Sequence, residues 1–262
     1  MRPGWNPGRR NRHVGTKAHG QGQDNRMKIP ERAGDERVFF ERLKDPVVLT
    51  RRIGERDIRF IVEPTPPRYF YPCSVDDACR VLGAIATSVR DLEFVVFRHP
   101  SSKQRLLRPV WGRAVFWYEF RKQHGAAVII ESQRPGMVRW NRSQGPDGRA
   151  ELDRLRADGH RVERTRRGYE VHQTPESMRN TVLFRTLLHE VGHHVDFDRS
   201  DVETWKGKNS RVKEDYAHRF AGMAVAYLSN EGHVPFPPLL DHESMRHEGL
   251  DPAWFVADPQ VL

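Results

Sequence analysis

The sequence predicts an α+β fold, and three observations predict it. Segments of strand character, with one helix among them, occupy residues 47–131. From Thr174 onward the pattern turns helical. The first long helix of that second half, Thr181 to Val195, lacks proline and carries an apolar side of Val182, Leu183, Thr186, Leu187 and Val191.

In chain order, residues 1–34 are rich in Gly, Pro, Asn, Gln and Arg and compose a disordered basic tail. Through Asp35 the chain holds eight Lys and Arg against three Asp and Glu, five of its nine net positive charges. Such a tail is a solvated terminus or a weak holder of nucleic acid or an acidic partner. Residues 35–262 then form one domain, 35–173 mostly sheet and 174–262 helical. Val38, Phe39 and Leu43 suggest a short helix over Asp35–Lys44, stopped by Pro46. Val47–Glu63 reads as strands, with Ile58, Phe60 and Val62 alternating against charge. The proline-rich Pro64–Pro72 is a loop with Tyr69, Phe70 and Tyr71 packed against the domain. Ser74 caps a helix reaching about Arg90. Leu92–Phe97, Gly112–Phe120 and Ala126–Glu131 are further strands. Gln133–Gly159 is polar and broken by Gly and Pro, with a short helix over Ala150–Ala157. His160–Gln173 reads as a hairpin turning at Arg166-Arg167-Gly168, either a surface hairpin with solvated charges or one that overhangs the cleft and carries Arg toward an acidic substrate. Thr174-Pro175-Glu176 marks a helix start, with the threonine as N-cap. A second helix runs from Lys213 to about Leu228, Asn230–Pro238 turns, Asp241–Glu248 is a short helix, and Trp254 and Phe255 dock the C-terminus.

Composition excludes several classes. With 30% charged and 37% hydrophobic residues, no apolar run approaches the ~18–20 residues of a membrane span. No hydrophobic stretch follows the basic N-terminus, so an intracellular, cytoplasmic protein without membrane contact is the expectation. Cys73 and Cys79 form neither a CxxC pair nor a disulfide framework, and read as free or buried thiols.

The chemistry concentrates in His189-Glu190-Val191-Gly192-His193, an HExxH. Residues four apart lie about 40° apart around a helix, so the two imidazoles project from one face and can share a Zn²⁺ with room for a third ligand and a water. Glu190, about 100° round, reaches that water as general base without binding the metal. His194 is rotated away. Arg199, where a metzincin would place histidine, rejects that pattern. Two third ligands present themselves. Asp196 lies three residues on from His193, and Glu214 on the second helix can point into the site, with Ala217 allowing the helices to approach.

HExxH on one helix and glutamate on the next resembles the gluzincins, a class of zincin metallopeptidases. Glu214-x-x-Ala217 followed by Phe220-Ala221 is most similar to the ImmA/IrrE-type branch; the match spans Thr181–Ala221. The resemblance implies a zincin-like fold, in which a mixed β-sheet backs the active-site helix and its edge strand pairs with an extended peptide, here Arg113–Phe120. It implies His189, His193 and Glu214 as zinc ligands, Glu190 as base, and a protein or peptide substrate, often a repressor. The chain departs from the branch at His218, where an acidic or amide residue usually orients a ligand histidine; His218 suits either that orienting role or contact with the transition state. Tyr216 and Tyr227 are the other candidates for the oxyanion. Two alternatives belong to other classes: a nucleic-acid-associated module whose zinc is structural, and a DNA-gated protease.

Overall fold

Two antiparallel hairpins with one strand between them make the frame. The computed structural model describes residues 39–40, 43–107 and 110–258. The hairpins are β2 (Val47–Ile53) with β3 (Arg56–Val62), and β5 (Gly112–Phe120) with β6 (Gln123–Glu131). Between them lies β4 (Leu92–Arg98), parallel to both β3 and β6. With β1 (Phe39–Phe40) on the outside, the sheet is mixed, in the order β1-β5-β6-β4-β3-β2. The fold is thus α+β as expected. Its central strand reads LEFVVFR because both of its faces are covered. Phe60, Val95, Phe97, Val128 and Ile130 point to the helical side, and Ile61, Phe94, Val96 and Ile129 to the other.

Phe39–Phe40 corrects the expected helix over Asp35–Lys44: these two residues pair in parallel with Tyr118 and Glu119 of β5. A helix so short gains little for its costly first turn, while the ladder offers bonds at once. The remainder of that expectation up to Val38, like the tail over 1–34, lies outside the described residues.

Helix α1 (Val75–Ala84) carries β3 across to β4 and is capped by Ser74, whose hydroxyl accepts the Asp77 amide while the Asp77 carboxylate accepts the Ser74 amide. It ends before the expected Arg90, giving way to a 3₁₀ turn at Ala86–Ser88. A glycine at 83 and β-branched or small polar residues beyond it weaken the helix there. Asp77 is buried and meets Arg179 twice, at 2.8 and 3.1 Å, tying α1 to the helical half. Cys73 and Cys79 are free; burial raises both thiols, Cys79 to about 12, which disfavours the thiolate.

After the short α2 (Ser102–Leu107) and the β5–β6 hairpin, a second, three-stranded sheet stands apart from the first. Its strands are β7 (Gly136–Asn141), β8 (Arg161–Arg164) and β9 (Gly168–Gln173), in the order β7-β9-β8. Helix α3 (Pro146–Ala157) closes one face over Leu152, Leu155 and Val171. The β8–β9 hairpin was expected. β7 was not, and α3 begins four residues earlier than expected because Pro146 sits in its first turn.

The helical half starts at α4 (Pro175–Asn180), where Thr174 and Ser177 complete a reciprocal cap. The chain continues without a break through a π-helical stretch, Thr181–Thr186, into α5 (Leu187–Asp198). Then follow α6 (Val202–Gly207), α7 (Ser210–Asn230), α8 (His242–His247) and a 3₁₀ turn at Pro252–Phe255 that buries Phe255 against Tyr71 and Phe97. Among the described residues no helix is long and apolar enough to cross a membrane.

Candidate metal centre

Helix α5 lies on the sheet through Leu187, Leu188 and Val191, all at most 1% exposed. That burial fixes the rotation of the helix, and with it the side from which His189 and His193 project. Helix α7 packs across α5 at Gly192. A Cβ added at Gly192 would stand 3.0 Å from the Ala217 Cα and 3.1 Å from Phe220, so only two small residues permit this approach. One turn before Ala217, Glu214 is thereby brought over the histidine pair.

The donor atoms converge. His189 Nε2 and His193 Nε2 are 3.1 Å apart, Glu214 Oε2 is 3.2 Å from the former, and Glu214 Oε1 is 3.7 Å from the latter. Ligands about 2.0–2.1 Å from a tetrahedral Zn²⁺ stand roughly 3.3 Å apart, so these residues fit that ion. Protonation also suits a metal. Burial, then the neighbouring His189, pushes His193 down to about 4, leaving the neutral imidazole that a metal needs. The Glu214 carboxyl is held below its usual range, chiefly by its hydrogen bond with His189. His189 and His193 side chains are 12% and 13% exposed while Glu214 is 55% exposed, so the centre opens to solvent on the α7 side.

Glu190 projects toward the sheet, and its Oε2 accepts the Ala114 amide at 2.7 Å. Ala114 lies on β5, whose outer edge is paired, among the described residues, by β1 at Tyr118 and Glu119. The edges of the large sheet are therefore β1 and β2, and the expectation of an edge strand at Arg113–Phe120 holds only for its first part, which runs beside α5. Gly112 makes that closeness possible: a Cβ there would stand 2.9 Å from Thr186 Cγ2 and nearer still to the Ile129 carbonyl.

The other candidates fall in distinct places. The His218 ring centre lies 4.4 Å from that of His189 with the planes tilted by 48°, and burial followed by the charge repulsion of His189 and Arg154 lowers it to about 4. It lies in the centre as a ring against a ring; His189 Nδ1 has no hydrogen-bond partner among the described residues. Asp196 is turned away and buried, its Oδ1 held by Lys208 Nζ at 2.7 Å, so the structure brings Glu214 and not Asp196 to the pair. Tyr216 accepts a bond from Arg199 and Tyr227 is half exposed; neither meets the histidines in any contact among the described residues. His194 donates its Nε2–H to the Ala127 carbonyl at 3.0 Å and is structural, as its rotation implied.

Sequence reasoning missed the wall beside His218. Arg185, one turn before His189, donates to Glu151 Oε1 at 2.8 Å and to Asp158 Oδ2 at 2.7 Å, while Glu151 Oε2 accepts from Arg154 at 2.8 Å. These pairs dock α3, rather than the tip of the hairpin, next to the centre. No local signal marks the two Arg185 pairs, because their partners lie 27 and 34 residues away along the chain. No protein-family model, curated protein or solved structure matches the chain.

Proposed function

We propose that this chain is a zinc-dependent metallopeptidase of zincin type, acting on a protein or peptide. The observation that carries the reading is the convergence of His189, His193 and Glu214, with donor atoms all within 4.8 Å, beside the buried carboxylate of Glu190. Zn²⁺ held there would supply a Lewis acid that polarises a carbonyl and makes water acidic near neutral pH. Glu190, oriented by the Ala114 amide, takes a proton from the attacking water and returns it to the leaving amine. His218, neutral at pH 7, offers a ring N–H toward the oxyanion that develops on the substrate. An extended peptide would lie along the outer side of β5 ahead of Tyr118. The open side at Glu214 favours this reading over a structural zinc, whose site is closed by four protein ligands.

The test is Glu190→Gln, assayed for zinc by elemental analysis and for cleavage of a peptide library. One zinc per chain should remain while cleavage falls by about 10²–10⁴-fold, the range for loss of a general base. Wild-type protein that holds zinc yet cleaves nothing in the library, or a variant as active as wild type, overturns the proposal.

A further inference from the structure

Between Arg134 and Gln173 the chain holds ten arginines, no lysine, and six acidic residues, a net of +4. This stretch builds the small β7-β9-β8 sheet and α3. Four of its arginines are engaged, in the pairs Arg139–Glu170, Arg154–Glu151, Arg156–Asp153 and Arg161–Glu163 at 2.6–3.3 Å. Another four, Arg142, Arg164, Arg166 and Arg167, are exposed and make no side-chain hydrogen bond or ion pair among the described residues.

The register gathers these four at one end of the sheet. Asn141 pairs with Gly168 and Arg164 with Tyr169, so Arg142, the end of β8 and the 165–167 turn are neighbours. The turn is closed by the Thr165 amide on the Gly168 carbonyl at 2.7 Å, and the Thr165 hydroxyl accepts the Arg167 amide at 3.3 Å. A Cβ at Gly168 would stand 3.0 Å from the Arg142 nitrogen, which places Arg142 against the same turn. Two strand spacings make the pole roughly 10 Å wide, the span over which one strand of a duplex presents about three phosphates.

We propose that this pole binds the sugar-phosphate backbone of nucleic acid without reading sequence. Guanidinium forks match phosphate oxygens in pairs, and the exclusive use of arginine suits that geometry. A protein partner would need an apolar centre to its interface, and the exposed Met137 and Val138 lie at the other end of β7, opposite His172 and Val171. The binding is independent of the metal chemistry.

The test measures anisotropy of a fluorescein-labelled 20-base-pair duplex against the full chain, tail included, from 50 to 200 mM salt. The triple variant Arg164→Glu/Arg166→Glu/Arg167→Glu should bind at least about tenfold more weakly, and its salt slope should fall by about 3. Arg139→Ala, away from the pole, should bind as wild type. If the triple variant does not fold, Arg166→Gln/Arg167→Gln in the exposed turn should lower the slope by about 2. A wild-type chain that ignores DNA, or a charge-reversed one that binds unchanged, overturns the proposal. Displacement by polyglutamate at equal charge concentration overturns it in favour of an acidic protein partner.

Discussion

His189, His193 and Glu214 converge from two crossing helices, whereas Glu163, Glu170 and His172 lie side by side on the open face of β8 and β9. Both groups bring three ligand atoms within 4.8 Å. In the second, Arg161 already pairs with Glu163 and Arg139 with Glu170, so a cation would have to displace two guanidinium groups in full contact with water. In the first, both histidines are largely covered, burial pushes His193 down to about 4, and the Glu190 carboxylate is next in sequence to His189 and held by the Ala114 amide. Proximity of ligand-type residues therefore does not make a site. What sets the first group apart is burial that keeps the His193 imidazole unprotonated, with no guanidinium paired to its carboxylate among the described residues.

The largest effect that would sharpen this contrast is on zinc affinity. His193→Ala should weaken it by more than about 100-fold, beyond what loss of an outer partner costs, while His172→Ala leaves one zinc per chain in elemental analysis. Equal loss in both would erase the distinction. A smaller effect tests the helix crossing. Gly192→Val sets two methyl groups into the 3.0 Å gap to Ala217, and should cost about 1–3 kcal/mol in denaturant unfolding and lower zinc content by displacing Glu214. Retained zinc would detach Glu214 from the centre. Smallest is Asp196→Ala, which removes the ion-pair partner of Lys208 and leaves it the Ser200 hydroxyl. It should cost about 1–2 kcal/mol, moderated by the partial exposure of Lys208, and leave zinc content unchanged. A zinc-free Asp196→Ala protein that is still folded would return Asp196 to the ligand set.

Elements set by neighbours in sequence were legible. The Ser74 and Thr174 caps, the strand character of residues 47–63, the β8–β9 hairpin and the spacing of His189 and His193 each depend on residues a few positions apart. β7 was not legible. Its GMVRWN is mostly exposed and flanked by glycine and proline, and it is a strand because β9, some thirty residues later, pairs with it. β1 escaped for the same reason, and α1 was read too long because apolar spacing continues past the point where the backbone changes to 3₁₀.

The sequence by itself determined the α+β class and the chemical inventory of the candidate centre, since a helix turns its residues by a constant angle. Only the tertiary structure decided which carboxylate joins the two histidines. Asp196 and Glu214 are equally acceptable as ligand types, but Asp196 is turned into the protein toward Lys208, and the contact of Gly192 with Ala217 swings Glu214 over the pair. The same holds for the Ala114 amide on Glu190: a backbone group leaves no mark in the residue pattern, and its partner is 76 positions away. Contacts of that range depend on how the elements pack, which residue spacing does not encode.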